Sequence, residues 1–228
     1  TLFSAIGDSG GRELYRMSLR GNNAPVASSF TTNLQEDQIV ALTGWGSTDR
    51  DGDTPSSVKI TQLPTNGSLF LDANDNNMLD PGELLGLNSI VSWTQAATNH
   101  RIKISPMADY VGTDSVKYTV TDVTSAEGSQ VTVGIVVSAV NDAPVSFADT
   151  FSTAEDYTLT AAVPAILAND TDVEGNPLLA ILVTGPEHGS LALSADGSFI
   201  YTPHADWNGT DSFTYRATDG SSFSNIST

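Results

Sequence analysis

The fold is decided by a stretch that occurs twice, first as Pro106-Met-Ala-Asp-Tyr-Val-Gly-Thr-Asp-Ser-Val-Lys-Tyr-Thr-Val-Thr-Asp122 and again as Pro203-His-Ala-Asp-Trp-Asn-Gly-Thr-Asp-Ser-Phe-Thr-Tyr-Arg-Ala-Thr-Asp219. The two copies are offset by a constant 97 residues (203 − 106). In each copy, a turn containing Asp and Gly leads into a run where β-branched or aromatic residues alternate with polar ones, which indicates a half-buried strand. Repetition of a whole block predicts tandem modules of one fold.

Further matches extend the repeat over most of the chain. Leu63-Pro-Thr-Asn-Gly-Ser-Leu69 matches Gly185-Pro-Glu-His-Gly-Ser-Leu191 at an offset of 122, so the first copy carries about 25 additional residues (122 − 97) before the block just described. Upstream, Asn23-Ala-Pro-Val26 matches Asn141-Asp-Ala-Pro-Val145 and opens each copy. We therefore predict two tandem domains at 25–143 and 144–228, preceded at 1–24 by a leader strand or the tail of a preceding module.

The local pattern is all-β. No segment sustains a helical period, and the nearest approach, Ala161–Ala168, is interrupted by Pro164. Alternating runs bounded by Asn, Asp, Gly and Pro are typical of antiparallel strands in a sandwich. Such runs cover Val58–Leu63, Ser68–Leu71, Arg101–Ile104, Ser115–Val120, Val131–Val137, Leu178–Val183, Ser190–Leu193, Ser198–Tyr201 and Ser212–Arg216.

Charge and composition exclude several functions. The 27 Asp and Glu residues outnumber the 9 Lys and Arg residues, and the net charge of −18 repels nucleic acids and anionic membranes. The chain has no cysteine, and no apolar run reaches the roughly 18–20 residues that span a bilayer. Its carboxylates recur in register with the repeat, whereas a catalytic pair would be a unique constellation. We therefore expect a non-enzymatic protein whose natural partners are cations.

The first copy contains an acidic loop, Asp72-Ala-Asn-Asp-Asn-Asn-Met-Leu-Asp-Pro-Gly-Glu83. Its oxygen-bearing side chains fall at positions 1, 3, 5, 9 and 12, the spacing that wraps six to eight ligands around one calcium ion. Position 6, where a sharp turn is needed, is Asn77, a residue type that tolerates the left-handed conformation. The alternative is an ordinary Asn/Asp-rich hairpin turn. The predicted ligands are Asp72, Asn74, Asn76, the carbonyl of Met78, Asp80 and Glu83.

Three motifs in order resemble the bacterial cadherin-like repeats that build large surface adhesins of the RTX type. They are Val140-Asn-Asp-Ala-Pro-Val145, Leu167-Ala-Asn-Asp-Thr-Asp-Val-Glu-Gly-Asn-Pro-Leu178 and Asn208-Gly-Thr-Asp-Ser-Phe-Thr-Tyr-Arg-Ala-Thr-Asp-Gly220. The resemblance covers nearly everything after residue 24. It implies two Ig/cadherin-like antiparallel β-sandwiches joined end to end, with calcium at the seams, in a secreted protein on the cell surface.

The resemblance also implies a second group of calcium ligands, near the seams. Like charges this dense would repel one another unless a cation neutralised them. The alternative is a set of solvated turn carboxylates. The implied ligands are Glu36 and Glu155 near the start of each copy, Asp49, Asp51, Asp53, Asp170, Asp172 and Glu174 in the first long loops, Asp122 and Asp219 after the Tyr-containing strands, and Asn141 and Asp142 in the linker.

Three functions remain open from the sequence. The first is a stalk or extender module in cell adhesion, in contact with neighbouring repeats of its own chain. The second is a glycan- or peptide-binding module that uses the insert at 72–100, with Trp93 and Trp45 as its aromatic residues. The third is a subunit of an extracellular filament in which a donated strand, such as the leader with Tyr15, Met17 and Leu19, completes the second sandwich. The second copy stops before a counterpart of Val131–Val137, which we also expect if the chain is an excised or processed piece.

Overall fold

The computed structural model describes residues 21–228 and divides the chain into two compact units, with the division between Ala139 and Val140. The predicted leader lies outside the described residues except for positions 21–24. Every alternating run predicted from the sequence overlaps a strand. No helix in the described part of the chain is long and apolar enough to cross a membrane.

The first unit is a sandwich of two main sheets. Its strands are β1 (Val26–Ala27), β2 (Phe30–Gln35), β3 (Val40–Ala41), β4 (Ser47–Thr48), β5 (Pro55–Gln62), β6 (Gly67–Leu71), β7 (Ile90–Ser92), β8 (Ile102–Pro106), β9 (Gly112–Asp122) and β10 (Val131–Ser138), with a π-helical turn at Thr94–Thr98. One sheet has the order β2-β10-β9-β5-β7, the other has the order β3-β8-β6, and β1 pairs with β4. The pairing is antiparallel, as predicted, except that β10 runs parallel to β2.

Alternation along the central strands explains where the core of the first unit lies. In β9, Val116, Tyr118 and Val120 are all buried. Trp45 packs edge-on against the Tyr118 ring and donates its indole N–H to the carbonyl of Leu42. Because Trp45 is only 7 % exposed, it is part of the core and does not supply an aromatic surface for a glycan.

The second unit has two smaller sheets. Its strands are β11 (Leu159–Ala161), β12 (Leu179–Thr184), β13 (Gly189–Leu193), β14 (Phe199–Pro203) and β15 (Thr214–Thr218), with a 3-10 turn at Ala165–Leu167. One sheet has the order β11-β14-β13, and the other pairs β12 with β15. The repeated block places Tyr215 where the first unit has Tyr118, and both side chains are fully buried.

The cores of the two units differ in size. The first unit has a cluster of seventeen buried apolar residues, whereas the cluster in the second has four, namely Ile166, Ala180, Phe199 and Tyr215. Since burial of apolar surface is the main stabilising term, we expect the second unit to open first. Hydrogen exchange followed by mass spectrometry should show faster amide exchange in β11–β15 than in β5, β9 and β10. Equal protection of the two sets of strands would contradict this expectation.

Candidate metal centre

A carboxylate cluster forms at the loop that follows β4. Asp49, Asp51 and Asp53 each bring one oxygen atom within 4.8 Å of the others. The loop is tightly wound, because Asp49 Oδ1 accepts the backbone N–H groups of Asp51 at 2.9 Å and Gly52 at 3.2 Å. Gly52 has a φ of 87°, which glycine adopts without steric strain. This winding collects the three carboxylates in one place.

Asp122, at the end of β9, is a buried aspartate at the same end of the first unit. It is 2 % exposed, and its Oδ1 accepts three hydrogen bonds, from the N–H and hydroxyl of Thr124 at 2.8 Å each and from the N–H of Ala126 at 2.9 Å. Its Oδ2 is buried and accepts no hydrogen bond from the residues that the structure describes, and the same is true of Asp49 Oδ2 and Asp51 Oδ1. Buried carboxylate oxygens without a donor are costly, so this end of the unit favours a cation.

The segment that enters the unit is fastened to this cluster. The backbone N–H of Asn23 donates to Asp51 Oδ2 at 2.8 Å. The single hydroxyl proton of Thr124 is shared between Asp122 Oδ1 and Asn22 Oδ1, each of which lies 2.8 Å from the hydroxyl oxygen. A cation bound by the carboxylates would therefore lie among residues from the entering segment, the β4–β5 loop and the end of β9.

The carboxyl groups of the cluster shift one another's pKa values. When Asp49 is protonated, its side chain can donate a hydrogen bond to Asp51, which raises the pKa of Asp49 and lowers the pKa of Asp51. When both groups are ionised, Asp49 Oδ2 and Asp51 Oδ1 have no donor among the described residues. Burial alone would raise the pKa of Asp122, but the hydrogen bonds from Thr124 and Ala126 outweigh it and lower that pKa. At neutral pH, Asp122 is therefore a carboxylate with one oxygen still without a donor.

Calcium binding at this cluster is expected to weaken as the pH falls, because calcium and the shared proton compete for Asp49 and Asp51. In the metal-free fold the pKa of Asp49 is raised. Its contribution to stability is therefore fully present below its unfolded pKa and is lost as the pH rises through the folded pKa. Calcium binds the ionised form of Asp49. The affinity of the cluster for calcium should therefore be constant at pH values above the folded pKa of Asp49 and should decline below that pKa.

Calorimetric titrations between neutral pH and about pH 4 test this dependence. Buffers of different ionisation enthalpy should reveal proton release on calcium binding in the acidic part of the range. An affinity that does not change with pH would contradict the competition.

In the second unit, too, residues of the entering segment contact carboxylates of the first long loop and of the turn after the last strand. Asn141 donates from Nδ2 to Asp219 Oδ2 at 2.8 Å, and the N–H of Asp142 lies 3.3 Å from both carboxylate oxygens of Glu174. Asp172 Oδ1 accepts the N–H of Asn176 at 2.8 Å, while Asp172 Oδ2 is buried and accepts no hydrogen bond from the described residues. The entering segment, first loop and last turn are again connected.

Three predicted seam ligands have different surroundings. Asp170 faces the hydroxyl of Tyr215 at 3.1 Å and the N–H of Phe147 at 2.9 Å, and burial raises its pKa. Glu155 is exposed and borders a groove on the second unit. Glu36 is buried at 2 % exposure, immediately after β2. The structure thus does not bring Asp170 or Glu155 into the arrangement around Asp172.

The loop from Asp72 to Glu83 is held by a protein cation that the sequence reasoning missed. Lys103, on the central strand β8, places its Nζ 2.5 Å from Asp72 Oδ2 and 2.8 Å from Asn77 Oδ1. The pair is buried, with side-chain exposures of 8 % for Lys103 and 0 % for Asp72. Burial alone would raise the pKa of Asp72, but the Lys103 ammonium and backbone N–H groups lower it. The signal in the sequence was a lysine between two core isoleucines, Ile102 and Ile104.

The other predicted ligands of this loop are engaged with one another. Asn74 and Asn76 donate from Nδ2 to Asp80 Oδ2 at 2.8 and 2.7 Å. The Glu83 carboxylate accepts the N–H groups of Ala73 at 2.8 Å and of Asp80 at 3.0 Å. Met78 lies at the exposed tip of the loop, and Asn77 has the expected left-handed φ of 62°. The loop is therefore wound tightly, and Lys103 already neutralises Asp72. The cluster at Asp49, Asp51 and Asp122, in contrast, retains carboxylate oxygens without donors, and these fit a cation.

One known protein family matches the second unit of the chain. Residues 141–228 match the family model of the bacterial cadherin-like domain, which supports an adhesion or structural repeat module. No curated protein matches the chain.

Solved structures similar to the chain come from several kinds of protein. The two repeats EC1-2 of human protocadherin-24 are 16 % identical over 91 % of this chain and 93 % of that chain, with a TM-score of 0.44. The D00-D0 domain of intimin is 14 % identical over 85 % of this chain and 93 % of that chain, with a TM-score of 0.32. An endo-fucoidan hydrolase of glycoside hydrolase family 107 is 16 % identical over 93 % of this chain and has a TM-score of 0.32, but the chain spans only 30 % of its length.

Proposed function

We propose that this chain is a calcium-stiffened structural repeat module of a secreted bacterial surface adhesin, working as a stalk or extender in cell adhesion. One observation carries the proposal: each unit gathers carboxylates beside its entering segment and leaves buried carboxylate oxygens without a donor, at Asp49, Asp51 and Asp122 in the first unit and at Asp172 in the second. The cadherin-like match over 141–228 supports the same function.

Calcium is the cation that suits these residues. It takes six to eight oxygen ligands from carboxylates, amide carbonyls and backbone carbonyls, with flexible geometry. In the first unit, Asp49, Asp51, Asp53 and Asp122 would hold it, and Asn22 and Asn23 join the cluster through the hydrogen bonds already described. Bound calcium would neutralise the negative charge of the clustered carboxylates. Fixing the entering segment against the first loop would restrict the hinge between a unit and whatever precedes it.

A non-enzymatic role agrees with this arrangement. The acidic groups occur at equivalent places in both units and are engaged by turn N–H groups, as in a structural site. The partners we propose are neighbouring repeats or subunits on the cell surface, where extracellular calcium is available.

Small-angle X-ray scattering tests the proposed stiffening. The chain is measured in EDTA and in calcium, alongside the variant Asp142→Asn/Asp172→Asn, in which the second unit's cluster is weakened. Calcium should narrow the distribution of interatomic distances for the natural sequence and have a much smaller effect on the variant.

The matched control is Glu187→Gln/Asp206→Asn, which removes the same charge from exposed turns and should respond to calcium like the natural sequence. Identical scattering in EDTA and in calcium would contradict a stiffening role even if calcium binds.

A further inference from the structure

Strand β12 of the second unit has an open edge where its counterpart in the first unit is covered. The counterpart is β5, because Ile60 lies opposite Tyr118 and Leu182 lies opposite Tyr215, the tyrosine of the repeated block. In the first unit, β7 pairs antiparallel with β5 on the side away from β9. In the second unit, no strand among the described residues pairs with β12 on the side away from β15. We call this side of β12 the open edge.

The cover in the first unit comes from the additional residues inside that copy. Strands β6 and β8 are joined by 72–101, which contains β7, whereas β13 and β14 are joined by the short hairpin 194–198. This hairpin reaches β12 at one point, where the N–H of Ala180 donates to the carbonyl of Ala195 at 2.8 Å. The open edge therefore follows from an internal difference between the two copies.

The free backbone groups of the open edge belong to Leu182. Tyr215, opposite it, exchanges both of its backbone hydrogen bonds with a residue on its other side, so Leu182 directs its N–H and C=O away from β15. No described residue bonds to them. The corresponding groups of Ile60 are paired, with Ser89 O at 2.9 Å and the N–H of Asn88 at 2.8 Å. A bulge follows Leu182 as one follows Ile60, and in β5 it does not prevent pairing.

The outer face of β12 is apolar. Ala180 is buried in the core, so the alternate positions point outwards, and they hold Leu179, Ile181 and Val183, which are 47, 38 and 43 % exposed. The matching residues of β5 are polar, namely Ser57, Lys59 and Thr61. An open edge beside exposed apolar side chains is a template for another strand, and β12 lacks the charges that usually protect such an edge.

This strand is the uncharged part of a strongly acidic unit. Residues 140–228 contain 12 Asp and Glu residues and one Arg, a net charge of −11 (1 − 12), whereas 178–184 contain no charged residue. The one Arg, Arg216, lies opposite Ile181, with its Cζ 4.0 Å from the centroid of the Phe223 ring. Most of the unit repels an acidic partner, but an uncharged strand meets no like charge at the open edge.

We propose that the open edge joins two copies of this chain, by antiparallel pairing of β12 with β12 of the second copy about a two-fold axis at Leu182. A second copy is the occupant because β12 has the features of β7, the strand that covers β5: it is uncharged and pairs antiparallel. In this register, Leu182 of each copy exchanges its free N–H and C=O with the other, and Ile181 lies beside Val183 on the outer face. Such β-branched neighbours stabilise a sheet.

The proposal predicts a weak dimer that does not need calcium. The contact is short and smaller than a standard interface, so it forms only at high protein concentration. It contains no carboxylate, so it is independent of the calcium clusters. A two-fold contact uses the same surface of both copies and therefore closes at two chains.

Sedimentation velocity of the intact chain, from micromolar to millimolar concentration, tests the association. The mean mass should rise from one chain towards two and no further, equally in calcium and in EDTA. Raising sodium chloride from about 0.05 to 0.5 M should strengthen the dimer, because salt screens the repulsion between two acidic units. A mass that stays at one chain, that grows past two, or that falls to one in EDTA overturns the proposal.

A pair of substitutions locates the contact. Ile181→Thr/Val183→Thr keeps the β-branched shape but removes apolar contact from both copies, and should raise the dissociation constant at least about tenfold. The matched control is Ile200→Thr/Val163→Thr, the same chemical change at exposed positions of the same unit, which should associate like the natural sequence. Circular dichroism confirms that both variants are folded. Equal association of variant and control contradicts a contact at β12.

Amide exchange measured by NMR provides the second readout. The N–H of Leu182 should exchange at least about tenfold more slowly at millimolar than at micromolar concentration, since it is hydrogen-bonded only in the dimer. The N–H of Ile181, which faces β15, should hardly change. A dimer in which exchange at Leu182 is unaltered would be formed through another surface and would overturn the proposal.

Discussion

Adding calcium to the metal-free chain is expected to raise the unfolding temperature of the second unit, Val140–Thr228, by about 6–11 °C for a site at ten times its Kd, and that of the larger first unit by less. At that concentration a ligand that binds only the folded state adds about 1.4 kcal/mol, and in a domain of 60–100 residues each kcal/mol moves the midpoint by about 4–8 °C. Extracellular calcium modules bind with a Kd of about 0.1–1 mM, so about 10 mM calcium suffices. Scanning calorimetry with EDTA and with calcium measures the shift, and magnesium at the same concentration should do much less.

The variant Asp49→Asn/Asp51→Asn localises this effect to the first unit. It removes the like-charge pair, so in EDTA the first unit should be at least as stable as in the natural sequence. With calcium, the shift of the first unit should disappear while that of the second remains. The control Glu187→Gln/Asp206→Asn loses the same charge and should keep both shifts. If the variant and the natural sequence respond equally, calcium does not bind at this cluster.

Replacing Lys103 by Met is expected to destabilise the first unit by about 3–5 kcal/mol. Removing one partner of a buried pair leaves the other charge uncompensated, and Asp72 is completely buried. The double variant Asp72→Asn/Lys103→Met removes both charges and should be closer to the natural sequence in stability, since a buried pair replaced as a whole often costs little. Urea denaturation followed by tryptophan fluorescence measures both values.

Calcium should partly restore the Lys103→Met variant. With the ammonium gone, Asp72 keeps its backbone N–H donors from Asn76 and Asn77 but has no neutralising charge, at the first position of a loop whose spacing suits calcium. The double variant lacks that carboxylate and should gain little from calcium beyond the response of the other sites. A Lys103→Met variant within about 1 kcal/mol of the natural sequence would show that the pair does not hold the loop.

The sequence was sufficient for the fold because period-2 alternation and turn residues repeat in both halves. The runs at Val58–Leu63 and Val131–Val137 are strands β5 and β10, since burial of one face fixes both register and type. The same reasoning extended the run at Ser212–Arg216 too far towards its start. There, strand formation requires a partner for the backbone, and alternation within one segment carries no information about its neighbour.

The candidate sites could be predicted only in part. Spacing placed Asp72–Glu83 in a wound loop with a left-handed Asn77, but it gave no indication that Lys103, 31 residues from Asp72, would reach the first carboxylate. The family resemblance implied Asp49, Asp51 and Asp122 as members of one ligand group, and that assignment stays a prediction. That their buried oxygens lack donors depends on the packing of the β4–β5 loop against the end of β9, which only the structure reveals.

The central claim is tested most directly by equilibrium dialysis of the chain against radioactive calcium, with Asp122→Asn and Asp172→Asn measured beside the natural sequence. We predict saturable binding of at least one calcium per unit, with one site lost or severely weakened in each single variant. Binding that is absent, or that is unchanged when both aspartates are replaced, would contradict it.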